Sequence, residues 1–546
     1  MPSRSSREKI QTEAGLLQDR RRDFLWLGLL VLVVASFWGL TWNAQPYLSS
    51  DDMGMDLYPF EMTLRGQWPC HDYYWQYGPL MPFYYAFWLS IGGVHLVSIR
   101  MGCAVVYLLA SILSYRILRL LVSSPIAFLA SLSFLIQGMV YPYYNFTLVG
   151  AVPFLLASLF CLWKYFLTGH VRWGYAGTLA LIGTALVKWN IGVSSFFAFL
   201  ASLILYRPPL RKKHLILLIL IFISTVLGSY ALQYQGVPAS WVVQLLGLNS
   251  PKNLTTNPWI NFKHLIQWFL VWDRSRLGWV ALGAVFGVLG FLGWRKRSWE
   301  SGQEKVFRSA ILSLFLFGIF NSSDFFALGH IYRLDFWSFP ILVLLMGLLS
   351  GQASFLFGQK MKVFLAALIF AGVIALPLQS AGEAFRARVP ERYLDFPRGR
   401  VYLVKETLST IEVFKKGTRF ILENTKPDEE ILTLPKDPLY CFLSGRRHAV
   451  RELDFEQSHP IPEAEEEVLI RELKTKEVPF MILTNRDGSN STSTLKGDRM
   501  GFFGKTHLRK LGEYLFEHYE EVQTLGPWEA RNPRIDHAIK ILRKTS

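Results

Sequence analysis

The chain has 546 residues, 51% hydrophobic and 15% aromatic, and only 18% charged, against the roughly 25% charge of a soluble domain. This composition excludes an ordinary soluble protein, and the four cysteines (Cys70, Cys103, Cys161, Cys441) show neither zinc-site nor disulfide spacing. The net charge of +16 does not signal nucleic-acid binding. Residues 1–378 hold 29 Lys+Arg against 14 Asp+Glu, whereas residues 379–546 hold 28 against 27, so the excess lies in the apolar half, where positive charge encodes topology.

An apolar run of bilayer-spanning length follows Arg20-Arg21-Arg22 without a small-residue cleavage pattern, so it reads as a first anchor rather than a removable signal. Further runs place spans near 24–40, 97–115, 124–140, 147–163, 173–187, 191–206, 215–232, 278–293, 309–320, 336–350 and 363–378. The expectation is a polytopic α-helical membrane protein of about 11 transmembrane helices, with residues 1–23 as an N-terminal tail. If that tail is cytoplasmic, the inner loops carry 21 Lys+Arg and the longer outer loops carry 7, as the positive-inside rule expects. An odd number of spans then puts residues 379–546 outside the cytoplasm.

The loop over residues 41–96 is the acidic focus of the membrane half. Asp51, Asp52, Asp56, Glu61 and Asp72 all fall in it. "SSDD" offers helix N-cap residues. In "DDMGMDLYPFEMTLRG", Met55, Tyr58 and Met62 share one helix side and the acids the other, which predicts an amphipathic helix lying in the membrane interface with its acids toward water. "QWPCHDYYWQYGPLMPFYYAFW" follows, broken by Pro69, Pro79 and Pro82 into a loop and a second interfacial segment, with the Trp and Tyr content of a headgroup belt. Taken alone, these acids read equally well as a solvated loop.

Farther along, "LVKWNIG" sets Lys188 between two apolar segments, a costly place for an amine unless it snorkels to headgroups or meets an anion. "GHIYRLDFWSFP" sets His330 and Arg333 just before another span, where Arg333 could grip a phosphate or pair with Asp335. The outer stretch around residues 233–277 is long enough for a lid or binding loop, with His264 and Trp268 at i, i+4.

From residue 379 the sequence is charged and mixed. "RFILENTKPDEEILTLPKDPLYCFLSGRR" reads as helix, strand and a turn at Pro435–Pro438. "VPFMILTNRDGSNSTSTLKGD" reads as strand and polar loop, and "HLRKLGEYLFEHYEEVQTLGPWEARN" as helix and strand. This alternation predicts a small extracytoplasmic α/β domain. Its "LYCFLSGRR" turn, with Tyr440, Arg446 and Arg447, reads as a solvated basic turn or a contact to an acceptor.

The order of these features is one span, an acidic pair in an outer loop, an interfacial helix, the proline-aromatic segment "HDYYWQYGPLMPFYYA", many more spans and an outer C-terminal domain. It resembles the GT-C glycosyltransferases, in particular the bacterial relatives of protein O-mannosyltransferases and of the lipid A aminoarabinose transferase. "YGPLMPFYY" is a loose match to their "H-x-P-P-L-x-Y" pattern. The resemblance covers most of residues 20–378 and implies a transmembrane catalytic module over 24–378. It implies an inverting transfer of a sugar from a polyprenyl-phosphate donor to a lipid, glycan or protein acceptor, with Asp51 or Asp52 as general base. Lys188, His330 and Arg333 are then candidate contacts to the donor phosphate, and Asp72, Tyr77 and Tyr84 candidate substrate contacts. The reading admits a divalent metal ion, with Asp52 as candidate ligand. It implies a multi-pass protein of the cell (inner) membrane with no nucleic-acid partner. A transporter or flippase of lipid-linked sugars, or a polymerase or ligase, stays open as an alternative, although the charges gather at one face rather than near the bilayer midplane where transporters place them.

Overall fold

A computed structural model describes residues 4–45, 47–48, 50–140, 146–206, 211–235, 310–314, 316–317, 378–379, 381–455, 461–485, 508–528 and 537–545. The membrane half is helical. Its elements run α1 (Arg4–Leu40), β1 (Ala44–Gln45), α2 (Ser50–Leu64), α3 (Leu80–Gly92), α4 (Leu96–Leu118), α5 (Ser124–Val140), α6 (Phe146–Thr168), α7 (Arg172–Val187), α8 (Trp189–Tyr206) and α9 (Lys212–Gln233). Among the described residues, Arg21–Leu40, Leu96–Leu118, Val149–Thr168 and Lys212–Gln233 are long and apolar enough to cross a bilayer. The first helix begins at Arg4 rather than near residue 24, so much of the expected tail is helical. The expected spans at 278–293, 336–350 and 363–378 lie outside the described residues, and 309–320 is described only at 310–314 and 316–317.

Two helices carry large apolar side chains on an exposed face. Along α9, Leu217, Leu220, Ile223, Leu227 and Leu232 are exposed while Leu218, Phe222, Val226 and Tyr230 are buried. In α3, Phe83, Phe87 and Ile91 form an exposed stripe. Exposed apolar stripes of this kind mark surfaces that meet a membrane or a partner. The chain is a polytopic membrane protein. At the end carrying the basic loops, Asp23 ties α1 to the α4–α5 turn through Arg119 Nε at 2.6 Å and Ser124 Oγ at 2.7 Å.

The tail adds β2 (Tyr402–Leu403), α10 (Leu408–Asn424), β3 (Glu430–Leu434), α11 (Leu439–Ser444), β4 (Arg447–His448), α12 (Glu463–Lys476), β5 (Phe480–Thr484), α13 (Arg509–His518), β6 (Tyr519–Leu525) and β7 (Ile539–Lys544). Among the described residues, five strands make one sheet in the order β4-β3-β5-β7-β6. β4, β3 and β5 run parallel, and β7 pairs antiparallel with both β5 and β6. β3 and β5 are buried almost throughout, as expected of strands covered on both faces. "LYCFLSGRR" is a short helix and strand, not a solvated turn. Tyr440 is fully buried and bonds His537 at 2.9 Å, and Arg446 is buried with Nη2 on the Thr425 carbonyl at 2.7 Å. Arg447 alone of the three is exposed.

Tail and membrane half share one core. Leu439, Tyr440, Phe442 and Phe414 belong to the same buried cluster as Leu57, Phe60 and Tyr85. β1 pairs in parallel with β2 across the chain, Ala44 opposite Tyr402 and Gln45 opposite Leu403.

Candidate active site

The candidate site is built on α2, and the path into that helix is rigidly held. Arg100, buried in α4, donates to the Thr41 carbonyl at 3.1 Å and to Gln45 Oε1 at 3.0 Å, and its guanidinium lies over the Trp38 ring. The Leu48 N–H donates to Glu406 Oε1 at 2.8 Å. Asp51 and Asp52 then occupy the first turn of α2.

The remaining acids of this loop separate by environment. Glu61 is buried, and both of its oxygens are taken. Oε1 accepts from Arg65 Nη2 at 2.6 Å and Oε2 from Arg398 Nη1 at 2.5 Å. Asp56 is also buried. The expected wet, acidic face of an interfacial helix is therefore not what forms. Residues 53–63 of α2 are buried all round, because α3 covers one side and α11 another. Asp72 is committed to its own turn, with Oδ2 accepting the Trp68 N–H at 2.7 Å and Oδ1 2.9 Å from His71 Nδ1. Partial burial pushes its carboxyl up, but the Trp68 N–H and the His71 ring outweigh this and hold it below the usual carboxylate range. Tyr84, also expected at the substrate, donates to the Gly102 carbonyl at 2.8 Å, which ties α3 to α4.

The structure does bring Tyr77 and Lys188 to one place. Lys188 ends α7 in an extended conformation, and α8 starts at the next residue, so "VKW" is a one-residue helix break rather than a loop. Lys188 is buried, not snorkelled to the surface. The Gly78 N–H donates to the Val187 carbonyl at 3.1 Å, and a Cβ on Gly78 would stand 2.0 Å from the Leu186 oxygen, so only glycine allows this approach. Gln233 Nε2, at the end of α9, holds the Tyr77 carbonyl at 3.1 Å. His330, Arg333, Asp335, His264 and Trp268 lie outside the described residues. Among the described residues, no group of three or more His, Cys, Asp and Glu side chains is arranged to hold a metal ion.

The tail closes over this loop through contacts that no local pattern announces. The Tyr74 N–H donates to the Arg451 carbonyl at 3.1 Å, and the Arg451 guanidinium returns to the Cys70 carbonyl. Next in the chain, Glu452 is buried with Oε1 accepting the Leu453 and Asp454 N–H groups at 2.9 and 2.8 Å, and Lys436 Nζ sits 3.4 Å from Asp454. Burial above all, with the Asp454 charge beside it, pushes the Glu452 carboxyl up to about 8 despite those two N–H bonds. A carboxyl with a raised folded-state value contributes stability that is complete below about 4.5 and is lost as pH rises through about 8. Glu452→Gln, an isostere of the protonated acid, is therefore expected to match the wild type at pH 4 and to outlast it at pH 9 in thermal inactivation. A wild type as resistant as the variant at pH 9 would contradict this.

No family model matches the sequence, and no curated protein matches it. Among solved structures the chain is similar to ArnT from Cupriavidus metallidurans bound to undecaprenyl phosphate, with 14% identity over 94% of this chain and 98% of that one and a TM-score of 0.56. It is also similar to ArnT from the same organism in the apo state, with 12% identity over 94% and 97% of the two chains and a TM-score of 0.51. The likeness extends over the tail as well as the helices, and at these identities it shows the fold, that of the GT-C membrane glycosyltransferases.

Proposed function

We propose that this chain, built on the GT-C fold, is an inverting glycosyltransferase that moves a sugar from a polyprenyl-phosphate donor to an acceptor on the extracytoplasmic side of the cell membrane. The observation that carries the reading is the place of Asp51 and Asp52 in the first turn of α2, with the tail held to the chain just before them at Leu48 and just after them at Gly54. A structure of the same fold over nearly its whole length has undecaprenyl phosphate bound.

In this mechanism Asp51 or Asp52 takes the proton of the acceptor hydroxyl or amine as it attacks the anomeric carbon. The new bond forms on one face while the bond from that carbon to the phosphate oxygen breaks on the other. The electron pair leaves with the polyprenyl phosphate, and configuration inverts. The leaving group is already an anion, so it needs cations more than an acid. Lys188, His330 and Arg333 are the proposed partners of the phosphate. The buried position of Lys188 supports this role, since water screens its charge little. Tyr77, packed beside the same helix break, is the proposed wall of the sugar site.

The test uses purified full-length protein in detergent with a panel of radiolabelled polyprenyl-phosphate sugars and follows release of the free polyprenyl phosphate. Release by the wild type is expected with at least one donor. Lys188→Ala should slow it about 10- to 100-fold, the worth of one hydrogen bond to a charged group. Absence of release from every donor, with donor binding intact, would overturn the transferase reading and favour movement of the lipid across the bilayer.

A further inference from the structure

The tail grips α2 along one face. Gly54, Tyr58 and Glu61 are spaced i, i+4 and i+7, which places them on a single side of the helix, and each meets a different part of the tail. A Cβ on Gly54 would stand 2.5 Å from the Leu439 backbone nitrogen and 3.1 Å from its Cα, so the start of α11 rests on bare α2 backbone. The Tyr58 hydroxyl accepts the His448 N–H at 2.8 Å. Arg398 Nη1 joins Glu61 Oε2 to the Phe442 carbonyl at the far end of α11, the latter at 2.9 Å. On the other side of the acidic pair, the tail holds the incoming chain through the Leu48–Glu406 bond and the β1–β2 pairing.

We infer that the tail is a positioning element for the Asp51–Asp52 turn: it brackets these two residues between the Leu48–Glu406 contact and the Gly54–Leu439 seat, and Gly54, Tyr58 and Arg398 act on the reaction through that turn. The inference rests on the reading of Asp51 or Asp52 as the base. An anchor with no bearing on the turn could sit anywhere on the tail, whereas these contacts lie immediately before and immediately after it. Because α2 is a continuous helix from Ser50 to Leu64, a shift at Gly54 is carried to its first turn.

Gly54→Ala is the sharpest probe. Ordinary van der Waals contact begins near 3.4 Å, so a methyl group at 2.5 Å from the Leu439 nitrogen forces α2 and α11 apart by the difference. Displacement of a catalytic group by about 1 Å lowers rates about 100-fold. Alanine is also the better helix former, so a loss cannot be assigned to a weakened α2.

The experiment measures kcat and donor KM for the wild type, Gly54→Ala and Tyr58→Phe, together with hydrogen exchange of the amides of residues 50–56. The expected result for Gly54→Ala is a kcat about 100-fold lower, with donor KM within about twofold because donor binding itself is untouched, and faster exchange of those amides. Tyr58→Phe, which removes only the hydroxyl, should act in the same direction by about fivefold, and it decides the matter if the alanine variant does not accumulate. Wild-type exchange over residues 50–56 in both variants, or faster exchange with unchanged kcat, would overturn the inference. If the wild type turns over no donor while the amides still respond to both substitutions, the seat stands and the transferase reading falls.

Discussion

Asp51→Asn or Asp52→Asn is expected to lower kcat by about 10²- to 10⁴-fold, the usual worth of a positioned general base, while donor affinity stays near that of the wild type. The asparagine side chain keeps the size and shape of the carboxylate but cannot take a proton from the acceptor. The two variants are expected to differ. One removes the base and abolishes transfer, and the other loses less because its carboxylate orients the first. The measurement is single-turnover release of polyprenyl phosphate, which separates the chemical step from binding and product release. Both variants retaining more than about a tenth of the wild-type rate, less than the loss of any positioned base, would remove these residues from the chemistry. Glu61 and Asp72 would not then inherit the role, since their oxygens are already held by Arg65, Arg398, His71 and the Trp68 amide.

The second large effect concerns stability. Glu61 has a side chain 2% exposed and lies between Arg65 and Arg398, whose side chains are 31% and 19% exposed. Breaking a fully buried pair costs about 3–5 kcal/mol because a charge is left without compensation. Here the arginines reach water, so Glu61→Gln is expected to cost about 2 kcal/mol, between that range and the value of a surface pair. Thermal unfolding of a membrane protein in detergent is commonly irreversible, so the readout is the half-life at a fixed temperature. Glu61→Gln and Arg398→Met should each shorten it, and the double variant should lose less than the two single losses together, because both remove the same contact. Strict additivity would show that the two residues do not act as a pair.

Much of the membrane half was legible because a bilayer imposes its own ruler. The described helices α4 to α9 lie close to the expected apolar runs, and α4, α6 and α9 among them hold segments long and apolar enough to cross a bilayer. The tail alternation around "ILTL" and "FMIL" was legible for a similar reason. Short apolar runs bounded by Pro, Gly and charge make strands β3 and β5 wherever they pack. The position of β7 between β5 and β6 was not, because strand order depends on pairing between segments distant in sequence.

The misreadings fall where a local pattern has two physical outcomes. The periodicity of α2 describes a helix with one polar face but not what covers that face. Water was the natural expectation, yet α11 and Arg398 cover it, and Arg398 comes from 337 residues away. Lys188 sits at the expected boundary, but only packing shows that the boundary is a single-residue break pressed against Gly78.

Read from the residues alone, this protein belongs in a membrane, and its acids concentrate in one loop beside aromatic and proline residues. Each of these follows from composition and local spacing acting against a solvent of fixed thickness. Folding in three dimensions adds that Arg398 partners Glu61, that the tail shares a core with the helices, and that the tail holds the chain on either side of Asp51 and Asp52. Those outcomes depend on contacts between segments hundreds of residues apart, and their energies come from burial and from pairing geometry that no local window of sequence contains.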